Sequence, residues 1–536
     1  MKMIKRTYAI IFLYFIFQSI AYGEIKEKLF VFTDRNLYIC GEPIHIYAKI
    51  ETTDTLNTNQ SKIIYFELLN STGNSILQTK FYTINSTVDN CIMIPDDVPT
   101  GYYCLKSYTK GMRNFSVTDF SFLPLKLINT RSQNVTKNDN LANATGIADL
   151  KELQKAADVT ISKNQFEKFE NIELNKSNKF DLKNLCITVI PAASVLDFQI
   201  LPQQNLAKEK YLLPYETDGA TLSGSVVNEL GVKIPNSIVN LSLIGTRNNI
   251  MSTYSDSMGR YYFQLPDLNT FQELFISIDS TFENHYKLLV DNDFSPINSI
   301  MNFPQFNLTN EEKHTALTLA QNLQIQKYFQ VKSLSGSDST KKIPLSYFYS
   351  PPTQIIYPSK YIQLTNLEEC FNELPSQIKV SRSKKHVNFY LTSDPLPINP
   401  LVMMDMIILN DYNSLLDINP QLVSRIEIIK KKYVKGEFIY DAIISIFSAN
   451  QDFAKIKLPS TGIFLNYTFP KNAACDLPYN SKIPDSKNTY YWFTNVDPDN
   501  LPHFNAPSVK GKYLIQLQGI DAKGKIRREI IPFEVK

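Results

Sequence analysis

Short segments in which apolar and polar residues alternate, separated by Asn, Asp, Gly and Pro, recur along this chain. Residues 28–32 and 44–48 show the pattern, which places every second side chain on the same face of a β-strand. Helical spacing follows two capping boxes, at residues 309–312 and 365–368. We therefore predict a mainly β, multidomain protein of tandem antiparallel β-sandwiches with a small α+β domain.

The first 23 residues have the composition of a signal peptide. Three basic side chains within residues 2–6 precede an apolar run at residues 8–17, and small residues stand before Glu24. We expect cleavage between Gly23 and Glu24, and export of the mature chain to the periplasm, the outer membrane or the cell surface. No later segment is as apolar, so no transmembrane span is expected in the mature chain.

The charge balance of the chain bears on two classes of partner. The chain has 55 basic and 52 acidic side chains, and three of the basic ones lie in the expected signal peptide. The mature chain is therefore close to neutral, which gives no electrostatic reason to expect nucleic acid or an anionic membrane surface as a partner. Its 536 residues exceed what one core supports, so we expect about three to five domains.

A sandwich domain is predicted over residues 24–129. Two of its segments are TDRNLYICGE at residues 33–42 and TGYYCLKSYT at residues 100–109. They resemble the second macroglobulin-like domain of alpha-2-macroglobulin relatives, which implies an antiparallel sandwich. Those relatives trap proteases through a Cys-Gly-Glu-Gln thioester. None of the six cysteines here belongs to such a motif, so we expect no covalent trapping.

The cysteines leave two interpretations open. An even number of six in an exported chain permits disulfides, but the spacing contains no CxxC pair that would indicate zinc. Either the cysteines are buried free thiols, or one bridge forms within the first domain. The pairings expected for such a bridge are Cys40 with Cys104 or Cys91 with Cys104.

The middle of the chain contains a linker and two further predicted sandwiches. Residues 130–155 are polar and Asn-rich, which predicts a linker. Residues 156–217 return to short strands and are interpreted as a second small macroglobulin-like sandwich. Residues 218–292 contain LSGSV and DSMGRYYF and resemble the carboxypeptidase regulatory-like domain, a non-catalytic, transthyretin-like sandwich. A helical connector is predicted over residues 305–333.

A small α+β domain is predicted over residues 345–450, with its helices on one face of a sheet. The segments PLVMMD and NPQLVSRIEIIK within it resemble the plug of TonB-dependent outer-membrane receptors, although Met406 stands where plugs have Gly. Only 88 residues follow residue 448, and membrane strands need about 9 to 11 residues each. We therefore expect no transporter barrel, and interpret residues 451–536 as C-terminal sandwich strands.

Four acidic residues that invite an interpretation as a catalytic or binding site are expected to have structural roles. Asp34 and Glu42 are expected to form a local salt bridge and turn hydrogen bonds with Arg35. Asp256 is expected to form an Asx turn rather than a calcium site. Asp405 lacks a second acid or base nearby in sequence and is expected to accept hydrogen bonds at a strand end.

Taken in order, the domains resemble exported Gram-negative envelope proteins that join macroglobulin-like, carboxypeptidase regulatory-like and plug-like domains without a barrel. The resemblance implies a non-catalytic binding or scaffold protein that docks on an outer-membrane or surface protein assembly. The sequence has no HExxH, GxSxG or P-loop motif, and we predict no catalytic, cofactor-binding or metal-binding residues. The alternative is an envelope hydrolase or a relative of macroglobulin-type protease inhibitors. The oligomeric state stays open.

Overall fold

The computed structural model describes most of the chain outside its first 25 residues. The described residues are 26–52, 60–136, 158–195, 212–244, 249–266, 272–279, 285–296, 301, 303–333, 348–361, 364–374, 377–383, 387–467 and 486–536. They form two compact units. Unit 1 comprises Met1–Gly219, Phe294–Asp338 and Pro470–Lys536, and unit 2 comprises Ala220–Asp293 and Ser339–Phe469. The chain therefore passes between the units four times.

The strands confirm the mainly β prediction. Up to residue 195 they are β1 (Glu27–Thr33), β2 (Leu37–Ile39), β3 (Pro43–Thr52), β4 (Ile63–Leu69), β5 (Ser75–Tyr82), β6 (Thr87–Met93), β7 (Gly101–Tyr108), β8 (Ser121–Ile128), β9 (Val159–Ile161), β10 (Gln165–Phe166), β11 (Asn171–Ile172), β12 (Leu174–Lys176) and β13 (Lys183–Pro191). Then follow β14 (Thr221–Asn228), β15 (Ile238–Ile244), β16 (Asn249–Tyr254), β17 (Arg260–Gln264), β18 (Gln272–Asp279) and β19 (Tyr286–Val290).

The remaining elements include three α-helices of the described chain. They are α1 (Asn310–Ser333), β20 (Gln354–Ile356), α2 (Leu367–Glu373), β21 (Ile378–Arg382), β22 (Val387–Leu391), β23 (Pro397–Ile398), β24 (Pro400–Met404), β25 (Ile407–Ile408), α3 (Tyr412–Leu416), β26 (Val423–Ile429), β27 (Tyr433–Lys435), β28 (Phe438–Tyr440) and β29 (Ala442–Ser448). The last strands are β30 (Ile463–Tyr467), β31 (Tyr491–Val496), β32 (Phe504–Asn505), β33 (Gly511–Ile520) and β34 (Ile526–Val535). None of the helices described is long and apolar enough to cross a membrane.

The first sandwich of unit 1 pairs a sheet in the order β1-β3-β6 with a sheet in the order β2-β8-β7-β4-β5. Strands β4 and β7 are buried along their whole length, because a second layer covers the outer face of their sheet. Phe303 packs there against Tyr102 and Cys104, and helix α1 packs against β2. A strand covered on both faces has a nearly continuous apolar run rather than an alternation. IIYFELL in β4 shows this, with Glu67 as its one charged residue.

The second sandwich of unit 1 combines distant parts of the chain. Its main sheet has the order β10-β34-β33-β13-β31, with Ile187 of β13 opposite Leu517 of β33. Residues 156–217 and 451–536 are predicted to form separate domains, whereas strands from both segments share this sheet. Alternation identifies each strand and its buried face but carries no information on which strand lies beside it.

The first part of unit 2 has two sheets, in the orders β17-β14-β19 and β16-β15-β18-β30. Strand β30 lies outside the predicted range 218–292 and pairs with β18, where Leu465 lies opposite Leu274. It covers an edge of β18 that would otherwise end the sheet. The sandwich is therefore completed by a strand that comes almost 200 residues later in the chain.

The second part of unit 2 has the predicted α+β arrangement. Its sheet has the order β20-β26-β29-β24-β25, with β24 parallel and β26 antiparallel to β29. Helices α2 and α3 pack on one face, through Phe371 and Leu415 among others. The capping box predicted at residues 365–368 is shifted by one residue, because the side chain of Asn366 rather than Thr365 accepts the N–H of Glu369. The box before α1 is confirmed by reciprocal bonds between Thr309 and Glu312.

Candidate functional site

Arg35 lies at the centre of a buried ionic network in the first sandwich. Its Nη2 is 2.8 Å from Glu42 Oε2, and its Nε is 3.3 Å from Asp34 Oδ2. The Tyr38 hydroxyl donates to Asp34 Oδ1 at 2.6 Å. Burial acts to lower the pKa of Arg35, but the charges of Glu42 and Asp34 outweigh it and hold that pKa above its ordinary value. The predicted salt bridge is confirmed, and its groups are occupied with one another.

The C-terminal segment supplies the rest of this network. Asn488 Nδ2 donates to Glu42 Oε2 at 2.6 Å, and the Thr489 hydroxyl donates to Asp34 Oδ2. Arg35 Nε also donates to Thr489 Oγ1 at 3.1 Å. Sequence reasoning missed these two partners, since they are about 450 residues away and belong to no recognisable motif.

A second ionic network lies on the covered face of the same sandwich. Lys106 Nζ is 3.0 Å from Glu67 Oε1, and Tyr108 donates its hydroxyl proton to the same oxygen at 2.7 Å. The Tyr108 oxygen in turn accepts the backbone N–H of Ser295 at 2.7 Å. Burial lowers the pKa of Lys106 although Glu67 opposes that change. These bonds fasten the segment that precedes α1 to the sheet.

A small cleft lies between α1 and the turn after β2. Cys40, Asp96, Asn129 and Lys327 are among its lining residues, and it encloses about 20 Å³, room for about one water molecule. Asp96 bridges Lys327 at 3.0 Å and Arg131 at 3.7 Å. The cleft is too small for an organic substrate.

Asp405 has the hydrogen-bonding role that was predicted. Its carboxylate accepts the backbone N–H groups of Ser448 at 2.8 Å and Phe453 at 3.1 Å, and the Ser448 hydroxyl at 2.5 Å. Asp405 and Met406 form the tight turn between β24 and β25 with positive φ values of 47° and 73°. Met406 thus adopts the left-handed backbone conformation that Gly favours.

The cysteines do not form either expected pairing. Cys40 and Cys104 are buried free thiols, as are Cys186 and Cys370. Cys104 lies under the segment before α1, whereas the Cys40 thiol donates to the carbonyl of Val98 at 3.3 Å. Cys91 is disulfide-bonded. The sixth cysteine, Cys475, and the expected cleavage site at Gly23 and Glu24 lie outside the described residues.

Asp256 forms the predicted Asx turn, with its Oδ1 accepting the N–H groups of Met258 at 2.8 Å and Arg260 at 2.9 Å. Within the described ranges, no cluster of three or more His, Cys, Asp or Glu side chains is placed to hold a metal ion. Of the acidic side chains singled out from the sequence, Asp256 and Asp405 serve a turn and a strand end, whereas Asp34 and Glu42 belong to the network of Arg35.

The hairpin of β27 and β28 presents a surface that sequence reasoning missed. Val434 and Ile439 lie directly opposite each other and are 63% and 59% exposed. The other face of the hairpin is fixed: Phe438 stacks on Tyr254 with ring centroids 5.1 Å apart, and Lys435 Nζ is 2.5 Å from Asn249 Oδ1. The alternation in YVKGEFIY predicts such a hairpin, but not which face is left in solvent.

Comparisons with known proteins identify no family. No protein-family profile and no curated protein matches this sequence. Salmonella alpha-2-macroglobulin reacted with methylamine is similar over 95% of this chain and 23% of its own, at 9% identity and a TM-score of 0.17. Trypsin-activated alpha-2-macroglobulin from Escherichia coli is similar over 95% and 41%, at 8% identity and a TM-score of 0.22. Dimeric latent PorU from Porphyromonas gingivalis is similar over 50% and 33%, at 10% identity and a TM-score of 0.16. The chain spans less than half the length of these proteins, and likeness at this level assigns no activity.

Proposed function

We propose that the protein is a non-catalytic binding and scaffold protein of the bacterial envelope, which docks on an outer-membrane or surface protein assembly through its plug-like domain. The exposed pair Val434 and Ile439 carries the proposal. Two β-branched side chains facing water across a hairpin contribute only their cross-strand contact, about 0.2–1 kcal/mol. A protein partner that covers their exposed area gains a further free energy of burial, about 1–2 kcal/mol for each.

The fixed inner face of the hairpin supports a docking role. The aromatic stack of Phe438 on Tyr254 and the bond from Lys435 to Asn249 hold the hairpin in place before any partner arrives. A surface that is already ordered loses less conformational entropy on binding.

The disulfide at Cys91 supports an exported location. Disulfides persist in oxidising compartments such as the periplasm and the cell surface, and are rare in the reducing cytosol. The expected signal peptide at residues 1–23 points to the same compartments.

The test is affinity purification of the tagged full-length protein from its own envelope after mild crosslinking, followed by mass spectrometry. We expect one protein to be recovered in near-stoichiometric amounts, and to be lost from the Val434→Ser, Ile439→Ser double variant. The matched control is Ile84→Ser, which removes an exposed apolar side chain from unit 1. Recovery of no specific partner with the wild-type protein would overturn the proposal. So would the finding that the same preparation hydrolyses proteases or their substrates, or forms stable complexes with them.

A further inference from the structure

Turns at residues 70–74, 228–232, 256–260 and 521–525 share one geometry. In each, the side-chain oxygen of the first residue, Asn or Asp, accepts the backbone N–H groups two and four residues later at 2.8 to 3.1 Å. The fourth residue is Gly with φ between 68° and 82°. The backbone of each turn is thus held by its own bonds, and the third residue projects from a rigid tip.

The third residue differs between these turns. It is polar in two of them, Thr72 and Lys523, as expected for a tip in water. In the other two it is Leu230, 88% exposed, and Met258, 55% exposed. Val232, two residues after Leu230, is 56% exposed as well. Both apolar tips belong to the sandwich of unit 2.

The two apolar tips lie at the same end of that sandwich. Val226 donates its N–H to the carbonyl of Gly259 at 2.9 Å, and Ile234 donates its N–H to the carbonyl of Val226 at 2.9 Å. A β-carbon built on Gly259 would lie 2.9 Å from Lys233 Cβ. The bases of the two turns are therefore in contact, and we refer to residues 228–232 and 256–260 as the turn pair.

A single exposed Leu is common on protein surfaces and needs no explanation. The turn pair differs because Leu230 and Met258 occupy equivalent positions of two equivalent turns. In each turn a half-buried side chain, Asn228 or Asp256, holds the backbone through two hydrogen bonds. The sandwich core gains nothing from either side chain. Rigid apolar tips lose little entropy when a partner covers them.

We propose that the turn pair binds an apolar pocket on the protein partner of the scaffold. This inference rests on the proposed function and names a second contact surface for the same partner. We expect the pocket on the partner to be lined by uncharged, apolar side chains that contact Leu230, Val232 and Met258.

Charge and area select a protein pocket over other occupants. The acidic Glu229 and Asp256 equal in number the basic Lys233 and Lys287 around the turn pair, so the rim lacks the excess of cations that an anionic lipid surface attracts. Three side chains fall well short of the about 800 Å² per partner that a stable protein–protein interface buries, so the turn pair must act together with a further contact surface, which the hairpin of β27 and β28 supplies. A small rigid group of apolar side chains fits a pocket on a different protein.

The test places a photo-crosslinking residue, p-benzoylphenylalanine, at position 230 or 258 of the full-length exported protein, with positions 72 and 523 as geometrically matched controls. We expect the same discrete protein adduct from positions 230 and 258 and none from the controls. With that partner purified, Leu230→Ser combined with Met258→Ser should weaken binding at least tenfold, whereas Thr72→Ser and Lys523→Ser leave the affinity unchanged.

Adducts with lipid, adducts with a second copy of the chain, or no adduct at positions 230 and 258 would each overturn this inference. An unchanged affinity of the double variant would do the same. The proposed function has its own readout, the loss of partner from the Val434→Ser, Ile439→Ser variant. A partner that depends on the hairpin and not on the turn pair leaves the proposed function in place and removes only this inference.

Discussion

The guanidinium of Arg35 lies 2.8 Å from the carboxylate of Glu42, with both side chains almost completely withdrawn from water. The same carboxylate accepts a hydrogen bond from Asn488 of the C-terminal segment. One buried acid thus joins the first sandwich to the segment that leads into the closing strands of the second.

Replacing Glu42 with Gln should destabilise unit 1 strongly. The change leaves the charge of Arg35 buried with less compensation, and breaking a buried ion pair costs about 3–5 kcal/mol. Urea denaturation followed by circular dichroism measures the loss. The control is Asp499→Asn, which breaks the solvent-exposed bridge to Lys176 and should leave the midpoint unchanged. Equal effects of the two substitutions would contradict the prediction.

The thiols should divide into two groups on alkylation. Burial raises the pKa of Cys40 to about 12, and the thiolate is the reactive form, so native protein should react slowly at that site. Denaturation without reductant should expose Cys40, Cys104, Cys186 and Cys370 to label but leave Cys91 unlabelled until reduction. Peptide mapping by mass spectrometry distinguishes them, and label on Cys91 before reduction would refute the assignment.

Lys435 should make stability depend on pH. Burial lowers the pKa of Lys435 to about 8, from an ordinary value of 10.5. Between these pH values the unfolded chain binds more protons than the folded chain, so the free energy of unfolding should rise with pH. Lys435→Met should remove that rise, whereas Lys431→Met, at an exposed position, should retain it. Denaturation midpoints measured across the interval check this, and parallel curves for all three proteins would count against it.

Ser86→Gly should stabilise the first sandwich. Asn85 and Ser86 form a two-residue turn with φ values of 53° and 61°, closed by mutual backbone bonds between Ile84 and Thr87. Removing the β-carbon of one residue in the left-handed conformation raises the free energy of unfolding by about 1 kcal/mol. The reverse change, Gly524→Ala at φ of 68°, should lose a similar amount. Thermal unfolding measures both, and a lower midpoint for the Ser86 variant would show the turn argument to be wrong.

Interactions between residues close together in the sequence could be predicted, whereas interactions between distant residues could not. The bridge from Arg35 to Glu42 spans seven residues and was predicted correctly, as was the capping box at residues 309–312, because local chemistry determines both. The bond from Asn488 to Glu42 was not predictable, since no local pattern distinguishes this Asn from the many others in the chain. The pairings expected for Cys104 are wrong for a related reason: its side chain is buried against Phe303 on the outer, covered face of its sheet, and Phe303 lies about 200 residues away in the chain.

In the second sandwich sheet, β13 ends at Pro191 and its partner strand β33 begins at Gly511. This separation along the chain sets a minimum time for assembly of the sheet. About 320 residues separate β13 from β33, and at the usual synthesis rate of 5–20 residues per second the ribosome needs about 16 to 64 s to make them. Until then both edges of β13 lack their partner strands, β31 and β33, and unpaired strand edges favour aggregation. A chain that lacks the segment containing β31 and β33 leaves both edges of β13 without a partner strand.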